Sequence, residues 1–84
     1  MDMKTFVKER DMALISFVVY GRKDKLEKYA QKYDIDFPKD SNLLMAGACK
    51  ALLKSKSAYI NQAHRNKAIA RLLVYGFKPL IGWP

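Results

Sequence analysis

The fold of this chain depends most on residues 40–54, which read DSNLLMAGACKALLK. Asp40 and Ser41 are both good helix N-caps, because their side-chain oxygens can accept hydrogen bonds from the first free amides. The segment that follows is apolar nearly all round, and only Lys50 and Lys54, one helical turn apart, indicate a solvated edge. Such a helix belongs in the centre of a domain. We therefore predict a central third helix that begins after Asp40 or Ser41 and ends at about Lys54.

A first amphipathic helix is predicted from about Lys4 to Tyr20. Its apolar residues keep a 3.6-residue period back to Phe6, and Gly21 is a natural residue to end it. Residues 15–20 are β-branched and aromatic, so a strand there is the alternative. We favour the helix because the 3.6-residue period extends back to Phe6, well beyond residues 15–20.

A second helix is predicted from about Lys23 to Tyr33, with apolar residues at the spacing i, i+3, i+4, i+7. Residues 34–38 follow as an extended connector, because the proline at their end disfavours helix at the residue before it. Ile35 and Phe37 alternate along this connector, so both are expected to face the core.

A fourth helix is predicted to begin after the short turn 55–57, capped by either serine, and to end at Tyr75 before Gly76. Its apolar face is expected to consist of Tyr59, Ala63, Ala70, Leu73 and Val74. Residues 77–84 are apolar and irregular. Their apolar area is too large to be left exposed to water, so this tail is expected to pack on the domain. The side chains predicted to be most deeply buried across the chain are Phe17, Leu44, Ala48, Leu52, Tyr59 and Leu73.

These segments predict an all-α fold. A chain of 84 residues is the size of one domain. We expect residues 1–84 to form a compact four-helix domain with a central apolar third helix and the apolar C-terminal tail packed on it.

Composition excludes several classes of function. One cysteine, Cys49, cannot form an internal disulfide, and with the single His64 it provides too few soft ligands for a zinc site. The first residues include acids and bases where a signal peptide needs an apolar run, and the longest uncharged run near the N-terminus, residues 12–21, is far short of the ~20 apolar residues of a membrane span. We expect a cytoplasmic protein with a reduced thiol, without cofactor, metal or membrane contact.

Catalysis is not expected from the two most reactive side chains. Cys49 falls on the apolar third helix and is expected to be a small buried residue rather than a nucleophile. His64 falls on the polar face of the fourth helix and has no Asp, Glu, Ser or Cys within helical reach. We therefore predict that the protein is not an enzyme.

The charge of the chain is unevenly distributed. The formal net charge is +8, yet residues 1–20 are neutral and residues 21–40 carry +1. Residues 41–84 hold seven bases and no acid, so pairs of opposite charge one turn apart cannot form there. These bases must face water, the acids of the first half, or an anionic partner. A purely solubilising role is the simpler alternative.

The bases of helices three and four form the candidate binding site. The short turn between the helices is expected to bring them together on one exposed side. The predicted binding residues are Lys50, Lys54, Lys56, His64, Lys67, Arg71 and Lys78. By contrast, Arg10 and Arg65 lie at the edges of apolar stripes, so each is expected to lay its stem on the core and to reach an acid or a carbonyl.

Nucleic acid, DNA or RNA, is the ligand that this basic face favours. One variant of this hypothesis is a helix-turn-helix in which Gln62, Arg65, Asn66 and Lys67 read bases. The alternative function is that of a small inhibitor or adaptor, of the type that phages and mobile elements encode. It would dock on an acidic or nucleic-acid-binding surface of a larger bacterial protein. The oligomeric state is not determined by these features.

Overall fold

The computed structural model describes residues 2–75, which form four α-helices. They are α1 (Met3–Val18), α2 (Asp24–Lys32), α3 (Ser41–Lys54) and α4 (Gln62–Val74). No strand occurs in this range, so the predicted all-α fold is confirmed and the strand alternative at residues 15–20 is wrong. The expected packing of the C-terminal tail, and of Gly76 before it, lies outside the described residues.

The helix ends follow local backbone chemistry. The Asp2 carboxylate accepts from the Lys4 amide at the start of α1, and the Asp40 carboxylate caps α3 in the same way. Beyond α1, Gly21 has φ +68°, and its amide donates to the Phe17 carbonyl. A residue without Cβ adopts this left-handed conformation at little steric cost, which explains the glycine there.

The core lies where α1 meets the other three helices. α1 packs against α2, α3 and α4, whereas α3 packs against α1 and α4. Each of α1 and α3 contributes six buried residues. The predicted burial of Phe17, Leu44, Ala48 and Leu52 is confirmed.

Residues 35–38 between α2 and α3 form neither helix nor strand, and both Ile35 and Phe37 are half-buried against the core, as predicted. The prediction of an extended backbone is wrong at Asp34, which has φ 53° and lies in a turn, and the Ile35 amide donates to the Ala30 carbonyl at 2.9 Å. Asp is one of the few residues besides glycine that tolerates this conformation. The bend at Asp34 therefore ends α2 and directs the chain back across the core.

The predicted start of α4 is wrong. The helix begins at Gln62, with Asn61 as its N-cap, so the connector from α3 spans residues 55–61 rather than a three-residue turn. Ser57 does not cap a helix, because its Oγ accepts from the Tyr59 amide and closes a turn instead. Asn61 and His64 then form a reciprocal pair: Asn61 Oδ1 accepts from the His64 amide, and His64 Nδ1 accepts from the Asn61 amide.

The predicted apolar face of α4 is also wrong, because it faces solvent. Leu73 is 58% exposed, Val74 is 78% exposed and Tyr59 is 39% exposed. The helix buries Ala68 and Leu72 instead. Tyr20 is likewise exposed, since it lies beyond the end of α1. Tyr59 lies before α4 begins, and the other four residues of the predicted face lie on the exposed side of the helix.

The helices of the described region are short. None of those in residues 2–75 is both long enough and apolar enough to cross a membrane.

Candidate nucleic-acid interface

Four lysines of the predicted site are exposed. Lys50 and Lys54 lie on the outer stripe of α3, Lys56 lies in the connector that follows, and Lys67 lies on the outer side of α4. Lys54 ends α3 and Lys56 comes two residues later, so these two ammonium groups mark the junction between α3 and the connector.

Three of these lysines have no acidic partner among residues 2–75. The salt bridges in this range join Arg10 to Asp11, Arg22 to Asp24 and Lys32 to Glu9. None of them includes Lys54, Lys56 or Lys67. Because residues 41–84 contain no acid, none of the three has a carboxylate near it in the sequence, and their positive charge is available to attract an anionic partner.

Two members of the predicted site have structural roles instead. Arg71 is half-buried, and its Nε donates to the Val18 carbonyl oxygen at the end of α1 at 3.1 Å. His64 is half-buried too, and its Nδ1 accepts from the Asn61 amide at 3.2 Å. The expectation that both lie on a solvated polar face is therefore wrong. Lys78 lies outside the described residues.

A buried polar cluster joins α1 to the start of the connector. Asp11 has no exposed surface, and it accepts from Arg10 Nε at 3.2 Å and from Ser55 Oγ at 3.1 Å. Arg65 donates to the carbonyl oxygens of Leu53 and Ser55 at 3.1 and 2.9 Å. The predicted structural roles of Arg10 and Arg65 are confirmed. This cluster holds the junction where Lys54 and Lys56 emerge.

Sequence reasoning did not identify Asp11 and Ser55 as members of this cluster. Asp11 stands between Arg10 and Met12 in a stretch of mixed charge, which is typical of a solvated helix face. A usable signal was its register: Asp11 is three and four residues from Leu14 and Ile15, both buried, so it falls on the packed side of the helix.

A groove runs beside the connector, between it and the first two turns of α1. Its volume is about 520 Å³, and it is lined by Met3, Lys4, Val7, Ser57, Ala58 and Tyr59. The lining is mostly apolar, and Lys4 and Ser57 are its two polar residues. The three lining residues of the connector, Ser57, Ala58 and Tyr59, follow Lys56 directly in the sequence.

The helix-turn-helix hypothesis does not fit this geometry. The connector of residues 55–61 is longer than the three or four residues of such a turn. In addition, Arg65 is bound to two backbone carbonyl oxygens and is therefore not available to read bases. Gln62 and Asn66 are exposed but hydrogen-bond to each other.

The reactive groups of the described region are arranged for packing. Burial raises the pKa of the Cys49 thiol to about 11, with the nearby Arg71 charge acting in the opposite direction. A thiol with this pKa is neutral at physiological pH and a weak nucleophile. In residues 2–75, no three side chains of His, Cys, Asp or Glu lie close enough together to hold a metal ion.

Comparison of the chain with models of protein families, with curated proteins and with solved structures finds no match.

Proposed function

We propose that the protein is a small non-enzymatic binding protein whose ligand is nucleic acid. The observation that carries the proposal is the set of exposed lysines Lys54, Lys56 and Lys67, which lack a carboxylate partner in the described region. They belong to a half-chain with seven bases and no acid. Phosphate groups are the anions that such a surface attracts most strongly when they come in a continuous chain.

The lysine side chains favour contact with the phosphate backbone of the nucleic acid rather than with its bases. Lysine offers a flexible point charge, whereas arginine offers a planar fork that reads guanine edges. The arginines of this region, Arg65 and Arg71, are committed to carbonyl oxygens. The proposed binding is therefore electrostatic and largely independent of base sequence.

The test is a fluorescence-anisotropy titration of labelled single-stranded and duplex oligonucleotides at several salt concentrations. Each phosphate contact contributes about −0.9 to the slope of log K against log salt for duplex DNA and about −0.7 for single strands. The double variant Lys54→Gln/Lys56→Gln is expected to weaken binding to all sequences and to reduce the steepness of the slope by about 1.4 to 1.8.

The matched control is Lys25→Gln/Lys28→Gln. It removes the same charge from exposed positions of α2, in the half of the chain that contains acids. The control is expected to retain most of the affinity and the slope. Equal losses in both double variants would indicate attraction by net charge alone and would contradict a site at the α3 junction.

A second function, docking on an acidic protein surface, is favoured by a different observation. The outer side of α4 exposes Ala63, Ala70, Leu73 and Val74, with Lys67 beside them. An apolar stripe does not bind a phosphate backbone, but it is typical of a surface that binds an amphipathic protein segment. In this case Leu73→Gln, which removes the apolar side chain without adding charge, would abolish capture of the partner and leave nucleic-acid titrations unchanged.

The proposal includes a cytoplasmic location. Nucleic acid is accessible there, and a lone buried thiol such as Cys49 remains reduced.

A further inference from the structure

The groove beside the α3–α4 connector contains an exposed aromatic ring. Tyr59 is 39% exposed and lines the groove together with the apolar side chains of Met3, Val7 and Ala58. Met3 lines the end of the groove nearest the start of α1. Its side chain is flexible and apolar, and the residue is 70% exposed to solvent. A planar apolar ligand could enter here without displacing a core residue.

The backbone holds Tyr59 in a fixed position. Its amide donates to Ser57 Oγ at 3.0 Å, and the next amide, of Ile60, donates to the Ser57 carbonyl at 3.3 Å. Ile60 is buried and anchors the turn to the core. The Ser55 hydroxyl is bound to Asp11, which ties the beginning of the connector to α1. An aromatic ring on an ordered turn loses little entropy when it binds a ligand.

One base lines the groove, and two more are close to its lining residues in the sequence. Lys4 is the lining base, Lys56 is followed directly by the lining residue Ser57, and Lys8 comes one turn of α1 after Lys4. The nearest acid in sequence is Asp2, whose two carboxylate oxygens accept from the Lys4 amide and the Thr5 hydroxyl. Asp2 and Thr5 line a different groove, next to α2. The groove of Tyr59 is therefore lined by a base and no acid.

We propose that this groove binds an unpaired nucleobase, and that the nucleic-acid ligand is single-stranded. The base stacks on Tyr59, while the flanking phosphates contact Lys4 on one side and Lys56 on the other. Aromatic rings set among lysines are the arrangement with which proteins hold single strands without reading their sequence. Paired bases in a duplex are already stacked on each other, so they cannot use the ring. This inference depends on the proposed function.

The experiment measures the affinity of the full chain for a labelled single-stranded dT oligonucleotide of 12 residues and for a 12-base-pair duplex. The wild type is expected to bind the single strand more tightly at equal salt. Tyr59→Ala is expected to reduce single-strand affinity roughly 5- to 150-fold and to leave duplex affinity unchanged, because one stacked base is lost. Tyr59→Phe retains the ring and is expected to restore single-strand affinity.

Tyr20→Ala is the matched control, since Tyr20 is also exposed but follows α1 at its other end. It is expected to change neither affinity. Thermal melting of each variant separates loss of binding from loss of folding. If Tyr59→Ala and Tyr59→Phe are equally weak, or if Tyr59→Ala weakens single strand and duplex alike, the stacking site is contradicted.

The failure of this inference is distinguishable from the failure of the proposed function. An unchanged Tyr59→Ala variant, together with a weakened Lys54→Gln/Lys56→Gln variant, would overturn the stacking site and keep nucleic-acid binding. If neither oligonucleotide binds the wild type at 50 mM salt or below, both proposals are overturned.

Discussion

Asp11 is a carboxylate without exposed surface, and its neighbours explain why the fold can bury it. Removing a charge from water costs several kcal/mol unless an opposite charge and hydrogen bonds replace the water. Arg10 supplies the charge and Ser55 supplies a hydroxyl donor. Arg65 completes the cluster by binding the Ser55 carbonyl oxygen. The four residues fix the position of the connector relative to α1, since each hydrogen bond has a required direction.

Ser55→Ala tests this cluster. The substitution leaves one carboxylate oxygen of Asp11 without its hydroxyl donor, so we expect the free energy of unfolding to fall by about 1–3 kcal/mol in urea denaturation. Ser41→Ala, at an exposed position in the first turn of α3, is the control and should stay within about 0.5 kcal/mol. Equal small effects would mean that the cluster adds nothing to stability.

Cys49 provides a prediction about pH. Burial raises its pKa to about 11, above the value of an unfolded thiol, so the folded chain favours the neutral form. The stability from this group is fully present below the unfolded pKa of about 8.5 and declines as pH rises toward 11. We expect a thiol reagent at pH 8 to label the native chain far more slowly than the urea-unfolded chain. Equal rates would show that Cys49 is accessible.

In α4, arginine contacts help to determine which side of the helix faces the core. Ala63, Ala70, Leu73 and Val74 form an apolar stripe, yet they face outward. Two arginines on the other side donate to carbonyl oxygens of other elements: Arg65 to the end of α3 and Arg71 to the end of α1. Helix C-termini have unsatisfied carbonyls, and guanidinium groups supply several donors each. These bonds and the burial of Leu72 together orient the helix.

Arg71 and Lys67, one turn apart on α4, should respond differently to truncation. Arg71→Ala removes the bond to the Val18 carbonyl and part of a half-buried stem, so we expect a loss of about 1–3 kcal/mol in the free energy of unfolding. Lys67→Ala removes an exposed charge and should change it by less than about 0.5 kcal/mol. The opposite order in urea denaturation would contradict this orientation of α4.

The start of α4 can be tested with two asparagines. Asn61→Ala removes the N-cap and is expected to cost about 0.5–2 kcal/mol, measured by thermal or urea unfolding. Asn66→Ala makes the same change at an exposed position inside the helix, where alanine is the better helix former. It should be close to neutral. A neutral Asn61→Ala would indicate that the helix begins elsewhere.

Within the domain, α1 is the helix against which the other three pack, and α3 supplies as many buried residues as α1 does. A domain of 84 residues has a total stability of roughly 4–13 kcal/mol, so single core positions matter greatly. The bases that are not tied to carbonyls or acids lie outside this core. Binding at the α3 junction can therefore be altered without unfolding the protein.

Leu52→Ala tests the packing of α3 in the core of the domain. Leu52 is fully buried in α3, and its truncation should cost about 2–5 kcal/mol, because the cavity cannot close completely. Leu43→Ala is the control on the same helix, at a position 54% exposed, and should cost far less. Similar thermal midpoints for the two variants would show that α3 does not pack as described.

The four helices and most of their ends can be predicted from the order of the amino acids. The apolar period identifies α1 and α3, Asp40 and Gly21 mark two of their boundaries, and the missing acids of residues 41–84 indicate a basic half. These features depend on neighbours within one or two turns, so a local reading captures them. The exposure of Lys54 and Lys56 belongs here as well, because a charged side chain at a helix end stays in water unless it finds a partner.

Three features depend on contacts between distant parts of the folded chain: the buried side of α4, the end of the connector, and the pairing of Asp11 with Ser55. Asp11 and Ser55 are 44 residues apart, and Arg71 and Val18 are 53 apart, so no local pattern contains their pairing. Leu73 and Leu72 have the same hydrophobicity, and α4 exposes one and buries the other. The physical reason is that a helix buries the side whose polar groups also find partners on neighbouring elements, and those partners exist only after the chain has folded.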